Sequence, residues 1–221
     1  MENVVILQPD QPLMNIKAHS NGFWGGAYML MLVLCSAACG ADKGDRKLAA
    51  SLASDKTRQA AIASIIASGR DKVPLLLDWI RNPPKGVDRC GLDTGLEEAF
   101  GELKTKEAIP FLVENISVYR GCFGTSLAPW LKAPEVIEWQ LPAVGALIKI
   151  GPNASKAVIA AFPNMTVEED RRAAVFVVAR IKGVAEAQSF LKSVSARAGR
   201  EQYWAEEGIK LLEANGGGKR Q

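Results

Sequence analysis

The chain has 221 residues, of which 48% are hydrophobic, 23% are charged and 7% are aromatic. These values are typical of a globular protein that buries a core, so they exclude wholesale disorder. The formal net charge of +3 is too small to indicate a nucleic-acid-binding protein, and no nucleic acid is expected as a partner.

The N-terminal part contains an apolar run without a charged residue, residues 23–41. Read from Met14, the residues before the run carry Lys17 and no acid, whereas the residues before Met14 carry two acids. A signal peptide needs a positive segment before its apolar run. We therefore expect Met14 to be the true start, and residues 1–41 to comprise an upstream extension and a signal peptide or membrane anchor.

The run ends in Ser36-Ala37-Ala38-Cys39, which resembles the lipobox of bacterial lipoproteins. In that family the leader is cut before a cysteine that carries diacylglycerol, so the resemblance assigns Cys39 as the lipidation site. Ser36 departs from the usual large aliphatic residue, which leaves ordinary signal-peptidase cleavage open. A retained anchor and a buried first helix are further alternatives. The favoured expectation is export to the bacterial cell envelope, membrane-anchored and facing the periplasm or the cell surface.

Histidine and cysteine usage limits the chemistry of the rest of the chain. Removal of the leader removes His19, the only histidine, together with Cys35 and Cys39, and leaves Cys90 and Cys122. The chain that follows the leader contains no imidazole, which excludes Ser-His-Asp and Cys-His mechanisms. Its two thiols alone cannot complete a zinc site. No metal or cofactor is therefore expected. In an oxidising compartment the remaining pair predicts a disulfide, and the alternative is two inert hydrophobic side chains.

A repeated plan runs through residues 42–214: an amphipathic helix, a short polar turn and a second amphipathic helix. Four segments follow it, Arg58–Ile80, Leu96–Ile116, Leu141–Phe162 and Arg171–Val194. A last helix is predicted at about 201–213, and the tail 215–221 is expected to be disordered. The pattern predicts an all-α domain.

Residues at the predicted helix boundaries agree with this plan. The capping-box patterns Thr94-x-x-Glu97 and Thr166-x-x-Glu169 are expected to open first helices. Pro74 and Pro110 fit the first turn of second helices, where a missing N–H has no consequence.

The segments share Ala-x-x-x-Leu/Ile followed by Ala-Ile/Val-Pro-Phe/Leu-Leu, and they resemble HEAT repeats over about residues 55–195. The resemblance is closest to the short bacterial kind related to phycobilin-lyase HEAT-like repeats. It implies a short right-handed α-solenoid of about four helical hairpins with a C-terminal capping helix. Such hairpins stack because one alone cannot bury its apolar face. Gly101, Ala143 and Ala146 are expected to supply the small residues that let paired helices approach.

Two insertions, at about 81–95 and 117–139, separate the repeats and contain Cys90 and Cys122 respectively. Both are expected at the same end of the stack, where a disulfide would join the two loops. The second insertion is rich in aromatic residues, which are either binding anchors or, for the two tryptophans, plugs that fill the core. These aromatic residues are Tyr119, Phe123, Trp130 and Trp139.

The turns within the repeats carry basic residues, among them Arg70, Lys104, Lys149 and Lys182. In a solenoid such turns align and would form a basic ridge for anionic lipid headgroups or an acidic polymer or protein; the alternative is that these cations offset helix dipoles. The acidic pair Glu97/Glu98 is expected in a helix first turn for the same reason.

The favoured function is a non-catalytic protein-interaction module, a scaffold or adaptor of the bacterial cell envelope whose partner is another protein. The alternative is an enzyme or cofactor-handling protein related to phycobilin lyases, and a third interpretation is a structural adaptor in a larger envelope assembly. A concave groove with two or more carboxylates would favour the enzyme, whereas an apolar or single-signed face would favour the binder.

Overall fold

The computed structural model describes residues 43–122, 134–196 and 200–216, and no β-strand occurs in these three ranges. The predicted all-α class is confirmed. In chain order the α-helices are α1 (43–53), α2 (Arg58–Ala67), α3 (Val73–Arg81), α4 (Arg89–Glu102), α5 (Ile109–Glu114), α6 (Pro134–Gln140), α7 (Pro142–Ile150), α8 (Pro152–Ala161), α9 (Glu168–Lys182), α10 (Val184–Ser195) and α11 (Arg200–Gly216).

The four predicted helical pairs are α2/α3, α4/α5, α7/α8 and α9/α10, and the predicted last helix is α11. Pro74 and Pro110 occupy the first turns of α3 and α5, as predicted. Short 3-10 turns, Gly69–Lys72 and Lys106–Ala108, connect the helices of the first two pairs. Periodicity and proline placement therefore predicted these helical pairs, although several helix boundaries differ.

The buried residues follow the helical spacing that the sequence shows. Leu96 and Phe100 of α4, Leu112 of α5 and the following Ile116 are fully buried. Leu103, at the end of the same face of α4, is only partly buried against the core. Burial of these apolar side chains supplies the main stabilisation of such short helices.

Helix contacts follow a regular order. The first helices of the pairs contact one another in sequence, α2 with α4, α4 with α7 and α7 with α9, and α9 also contacts α11. The second helices pack beside them: α5 contacts α7 and α8, α8 contacts α9, and α10 contacts α9 and α11. The pairs thereby share one continuous hydrophobic core.

Helix α4 begins at Arg89 rather than at Leu96. Asp88 has extended backbone angles, and its carboxylate accepts a hydrogen bond from the N–H of Gly91 at 2.7 Å, which caps the helix. The predicted capping box is therefore wrong, because Thr94 and Glu97 lie buried inside α4. The expected first insertion is correspondingly shorter.

The second predicted capping box, Thr166-x-x-Glu169, is also wrong. Helix α9 starts at Glu168 after Val167, and no side chain caps it. Its first turn instead contains Glu168, Glu169 and Asp170, whose negative charges interact favourably with the helix N-terminus.

Two helices, α1 and α6, occur where the sequence analysis predicted none. Ala49 and Leu52 of α1 are buried, and α1 approaches α4 so closely that a Cβ on Gly95 would lie 2.6 Å from the Leu52 carbonyl oxygen. Helix α6, inside the expected second insertion, buries Ile137. These short helices depend on contacts with neighbouring helices, which local patterns do not reveal.

The apolar run 23–41, Cys39 and the tail beyond Gly216 lie outside the described residues. Within the described part of the chain, no helix is long and apolar enough to cross a membrane.

Candidate binding groove

Cys90 and Cys122 lie at disulfide distance, with 2.26 Å between the Sγ atoms and 5.5 Å between the Cα atoms. The structure thus brings the predicted pair together. It does not join two loops, because Cys90 lies in the first turn of α4. Cys122 ends the 3-10 turn Arg120–Cys122 that follows α5. The pair therefore attaches this turn to the start of α4.

The turn Arg120–Cys122 has an unusual backbone. Gly121 has φ 72° and Cys122 has φ 54°, both in the left-handed region, which is unfavourable for a residue with a Cβ. The N–H of Cys122 donates to the Tyr119 carbonyl at 2.8 Å, and the N–H of Gly121 donates to Oγ1 of Thr94 at 3.4 Å. These hydrogen bonds to Thr94 of α4 and to Tyr119 thus stabilise backbone angles that are unfavourable for Cys122.

Arg120 links the turn to two helices. Its guanidinium forms an ion pair of 2.5 Å with Glu98 of α4. On the other side, its Nε donates to the carbonyl oxygen of Trp139 at 3.0 Å, and its Cζ lies 4.8 Å from the centre of the Trp139 ring. Glu98 also accepts a hydrogen bond from Gln59 of α2 at 2.9 Å. One side chain therefore connects α4 with α6 through charge, hydrogen bonding and a cation–π contact.

A groove of about 270 Å³ opens where α2, α4, α6 and α7 meet. We call it the Trp139 groove, and its polar and aromatic lining includes Gln59, Glu98, Glu102, Arg120, Glu138 and Trp139. Trp139 is 59% exposed, so an indole ring borders the groove without being covered by the fold. Its interpretation as a core plug is wrong.

The carboxylates of the Trp139 groove face cations. Glu102 pairs with Lys149 at 2.6 Å, and Glu138 pairs with Arg180 at 2.8 Å. Glu98 pairs with Arg120, as above. The groove therefore gathers carboxylates, the feature expected of an enzyme, but their charges are balanced by cations and an apolar ring lies beside them. It does not have the single-signed face expected of a binder.

Glu97, next to Glu98 in the sequence of α4, is only 2% exposed. Burial raises the pKa of its carboxyl well above the usual value, and the nearby charges of Asp93 and Glu98 raise it further, while Arg120 opposes them. The predicted position of Glu97 and Glu98 in a first turn is wrong, because α4 starts earlier. No residue pattern identified Glu97 as buried, since its burial depends on neighbours distant in the sequence.

The predicted aromatic residues separate into three groups. Tyr119 is partly buried and packs against the core, and burial raises its pKa. Trp139 borders the groove. Phe123 and Trp130 lie outside the described residues. Arg120, which positions the Trp139 ring, was missed because an isolated arginine in an insertion has no distinctive pattern.

The predicted basic residues are exposed, and three of them have acidic partners. Arg70 pairs with Glu107 at 2.9 Å and Lys182 with Glu186 at 2.8 Å, and Lys149 pairs with Glu102. Lys104 follows α4 with φ 50°. These pairs reduce the positive charge that a basic ridge requires. Lys149 and Lys182 also lie in the last turns of α7 and α9, where a cation offsets the helix dipole.

Among the residues that the structure describes, no group of three or more His, Cys, Asp or Glu side chains is arranged to hold a metal ion. No protein-family model matches the chain, and no curated protein sequence or solved structure is significantly similar to it. The resemblance to HEAT repeats and to a lipoprotein leader therefore remains a prediction from the residues.

Proposed function

We propose that this protein is a non-catalytic interaction module that binds a segment of another protein in the Trp139 groove. The observation that carries the proposal is the indole of Trp139, which is 59% exposed and yet fixed by the Arg120 guanidinium 4.8 Å from its ring. An exposed aromatic ring that is already positioned loses little side-chain freedom on binding. Tryptophan and arginine are also the residues that most often dominate binding energy at protein interfaces.

The groove favours a partner segment with an apolar or aromatic side chain flanked by polar groups. The apolar side chain would stack on the Trp139 ring, which offers a large contact area. Around it, Gln59 provides an uncharged hydrogen-bonding amide. The ion pairs Glu102–Lys149 and Glu138–Arg180 provide hydrogen-bonding groups with charges of both signs. Because these charges are balanced, we expect recognition by shape and hydrogen bonding rather than by net charge.

We further propose that the helical pairs form the HEAT-like α-solenoid that the sequence predicts, with α11 as its cap. The sequential contacts of α2, α4, α7 and α9 support this arrangement. Export to the cell envelope and lipidation at Cys39 belong to the same proposal, and they rest on the resemblance of residues 36–39 to a lipobox. A disulfide between Cys90 and Cys122 suits an oxidising compartment.

An enzyme or cofactor-handling protein is the second candidate, because Glu98, Glu102 and Glu138 share one groove. Each of these carboxylates faces a cation, and an ion pair must be broken before such a group accepts a proton. Titration with a linear tetrapyrrole tests this candidate. Saturable binding that Glu98→Gln abolishes would favour it over the interaction module.

The interaction module is tested with peptides selected from a random library on the immobilised full chain. We expect Trp139→Ala to weaken the binding of the selected peptides by at least about 2 kcal/mol, or roughly thirtyfold in Kd, as for a central interface residue. The matched control is Tyr203→Ala, which removes another exposed aromatic side chain, 62% exposed on α11. That variant should bind the peptides like the wild type.

Stability measurements separate a binding effect from unfolding. Because Trp139 is mainly exposed, Trp139→Ala is expected to lower the free energy of unfolding by no more than about 1 kcal/mol, the value of its cation–π contact. Selected peptides that bind Trp139→Ala as tightly as the wild type would refute the proposed site.

A further inference from the structure

We propose that the Cys90–Cys122 disulfide is a redox switch for the Trp139 groove. In the oxidised protein the groove is held ready for binding. In the reduced protein the turn Arg120–Cys122 is released, and the groove binds more weakly. The proposal rests on the proposed function, because it concerns regulation of the same site. It goes beyond a stabilising role for the disulfide, since it assigns a consequence at Trp139.

A short series of contacts connects the disulfide to the indole ring. Cys122 and Arg120 belong to the same three-residue turn, and Cys90 attaches that turn to the first turn of α4. Arg120 then contacts Glu98 on α4 and both the carbonyl oxygen and the ring of Trp139. The position of the turn over α4 therefore determines where the guanidinium that holds Trp139 lies.

The backbone of the turn favours release once the covalent link is cut. Cys122 has φ 54°, a conformation that a residue with a Cβ adopts only when its surroundings impose it. The turn also packs against α4, and the hydrogen bond from the Gly121 N–H to Thr94 is long, at 3.4 Å. Without the covalent link, the turn can relax towards ordinary backbone angles.

The switch needs a reductant of the dithiol class, such as the active site of a thiol–disulfide oxidoreductase. The dithiol transfers two electrons and two protons to the Cys90–Cys122 bond, giving two cysteine thiols, and is itself oxidised to a disulfide. Cys122 is exposed and Cys90 is partly exposed, so the bond joins two residues at the protein surface. A disulfide of higher reduction potential reverses the reaction by accepting the two electrons and two protons.

Release of the turn has a defined effect on the groove. Arg120 would no longer be held between Glu98 and the Trp139 ring, so the indole would occupy more conformations. When a binding surface is competent for only a fraction of the time, its apparent Kd is the intrinsic Kd divided by that fraction. We therefore expect reduction to weaken binding without removing any residue of the groove.

Amide hydrogen exchange of the full chain tests the switch without a partner. We expect reduction by a phosphine to accelerate exchange about tenfold or more in residues 117–122 and in α6, while α8 stays unchanged. Cys90→Ser/Cys122→Ser should show the same pattern without reductant, and reoxidation by oxidised glutathione should restore the wild-type pattern. Unchanged exchange in 117–122 and α6, or equal acceleration in α8, would overturn the proposal.

Affinity for the library-selected peptides gives the second readout. Reduction should weaken their binding to the wild type by about tenfold. Arg120→Ala should bind weakly when oxidised and lose nothing further on reduction, because the connecting side chain is already absent. A wild type whose peptide affinity is the same in both redox states contradicts the switch while leaving the interaction module intact. Peptide binding that does not depend on Trp139 contradicts the interaction module itself. In that case the hydrogen-exchange experiment still decides whether the turn responds to reduction of the disulfide.

Discussion

Gly101 of α4 lies directly against Ala146 of α7: a Cβ on the glycine would stand 2.7 Å from the Ala146 Cα and 3.0 Å from its Cβ. Both residues were predicted to let the two helices of a pair approach, but the contact joins the first helices of two neighbouring pairs. Because the nearest atom belongs to the backbone of α7, it cannot move aside as a flexible side chain can. The separation of α4 and α7, which border the Trp139 groove, therefore depends on this pair.

Gly101→Ala is expected to destabilise the protein by about 1–3 kcal/mol, the usual cost of overpacking, although alanine favours a helix over glycine. The measurement is chemical unfolding by circular dichroism. Gly44→Ala in α1 is the matched control, because a Cβ there would meet nothing within 4 Å, and it should be neutral or slightly stabilising. Equal effects of the two substitutions would show that α4 and α7 do not pack as described.

Glu97→Gln is expected to stabilise the protein at neutral pH. Burial raises the pKa of Glu97 above its ordinary value of 4.5, so the folded state binds this proton more tightly than the unfolded chain does. The stability from this group is fully present below pH 4.5 and is lost as the pH rises through the folded pKa. The variant should therefore gain at least about 1 kcal/mol at pH 7.5, a rise in Tm of about 2–4 °C, and little at pH 4.

The control for this pH dependence is Glu102→Gln, a half-exposed carboxylate paired with Lys149. It should give a change of less than about 1 kcal/mol, because exposed ion pairs contribute little. A Tm difference between Glu97→Gln and the wild type that does not grow with pH would contradict the burial of an ionisable carboxyl at this position.

Reduction of the disulfide is expected to lower the Tm. The bond closes a segment with a sequence separation of 32, and the loss of loop-closure constraint corresponds to about 3–4 kcal/mol. Thermal unfolding with and without reductant measures the effect, and Cys90→Ser/Cys122→Ser serves as a variant that should not respond to reductant. Identical melting curves for the wild type in both conditions would exclude the bond in solution.

Cys39→Ala is expected to leave the leader uncut if the resemblance to a lipobox reflects lipidation. The measurement is the intact mass of the protein purified from its native cells, where the wild type should begin at Cys39 and be heavier by its acyl groups. Normal processing of the variant would indicate an ordinary signal-peptidase site or none.

Several features of this protein follow from the sequence by itself. The period of apolar residues predicted the four helical pairs, and the fixed φ of Pro74 and Pro110 placed the first turns of α3 and α5. The even number of cysteines in the body predicted the Cys90–Cys122 pair. These signals succeed because they depend on local geometry or on simple pairing, and both are independent of how the helices pack.

The tertiary structure alone decided the details of the site. Thr94 and Glu97 satisfy a capping pattern, but Asp88 caps α4 instead, and a local pattern cannot choose between two competing starts. Arg120 lies between Glu98 and Trp139, which are separated from it by 22 and 19 positions in the sequence. The spacing of residues along a helix therefore does not predict this contact. Burial and ion pairing at such distances arise only when the helices pack, which is why the sequence predicted the helices and the fold determined the groove.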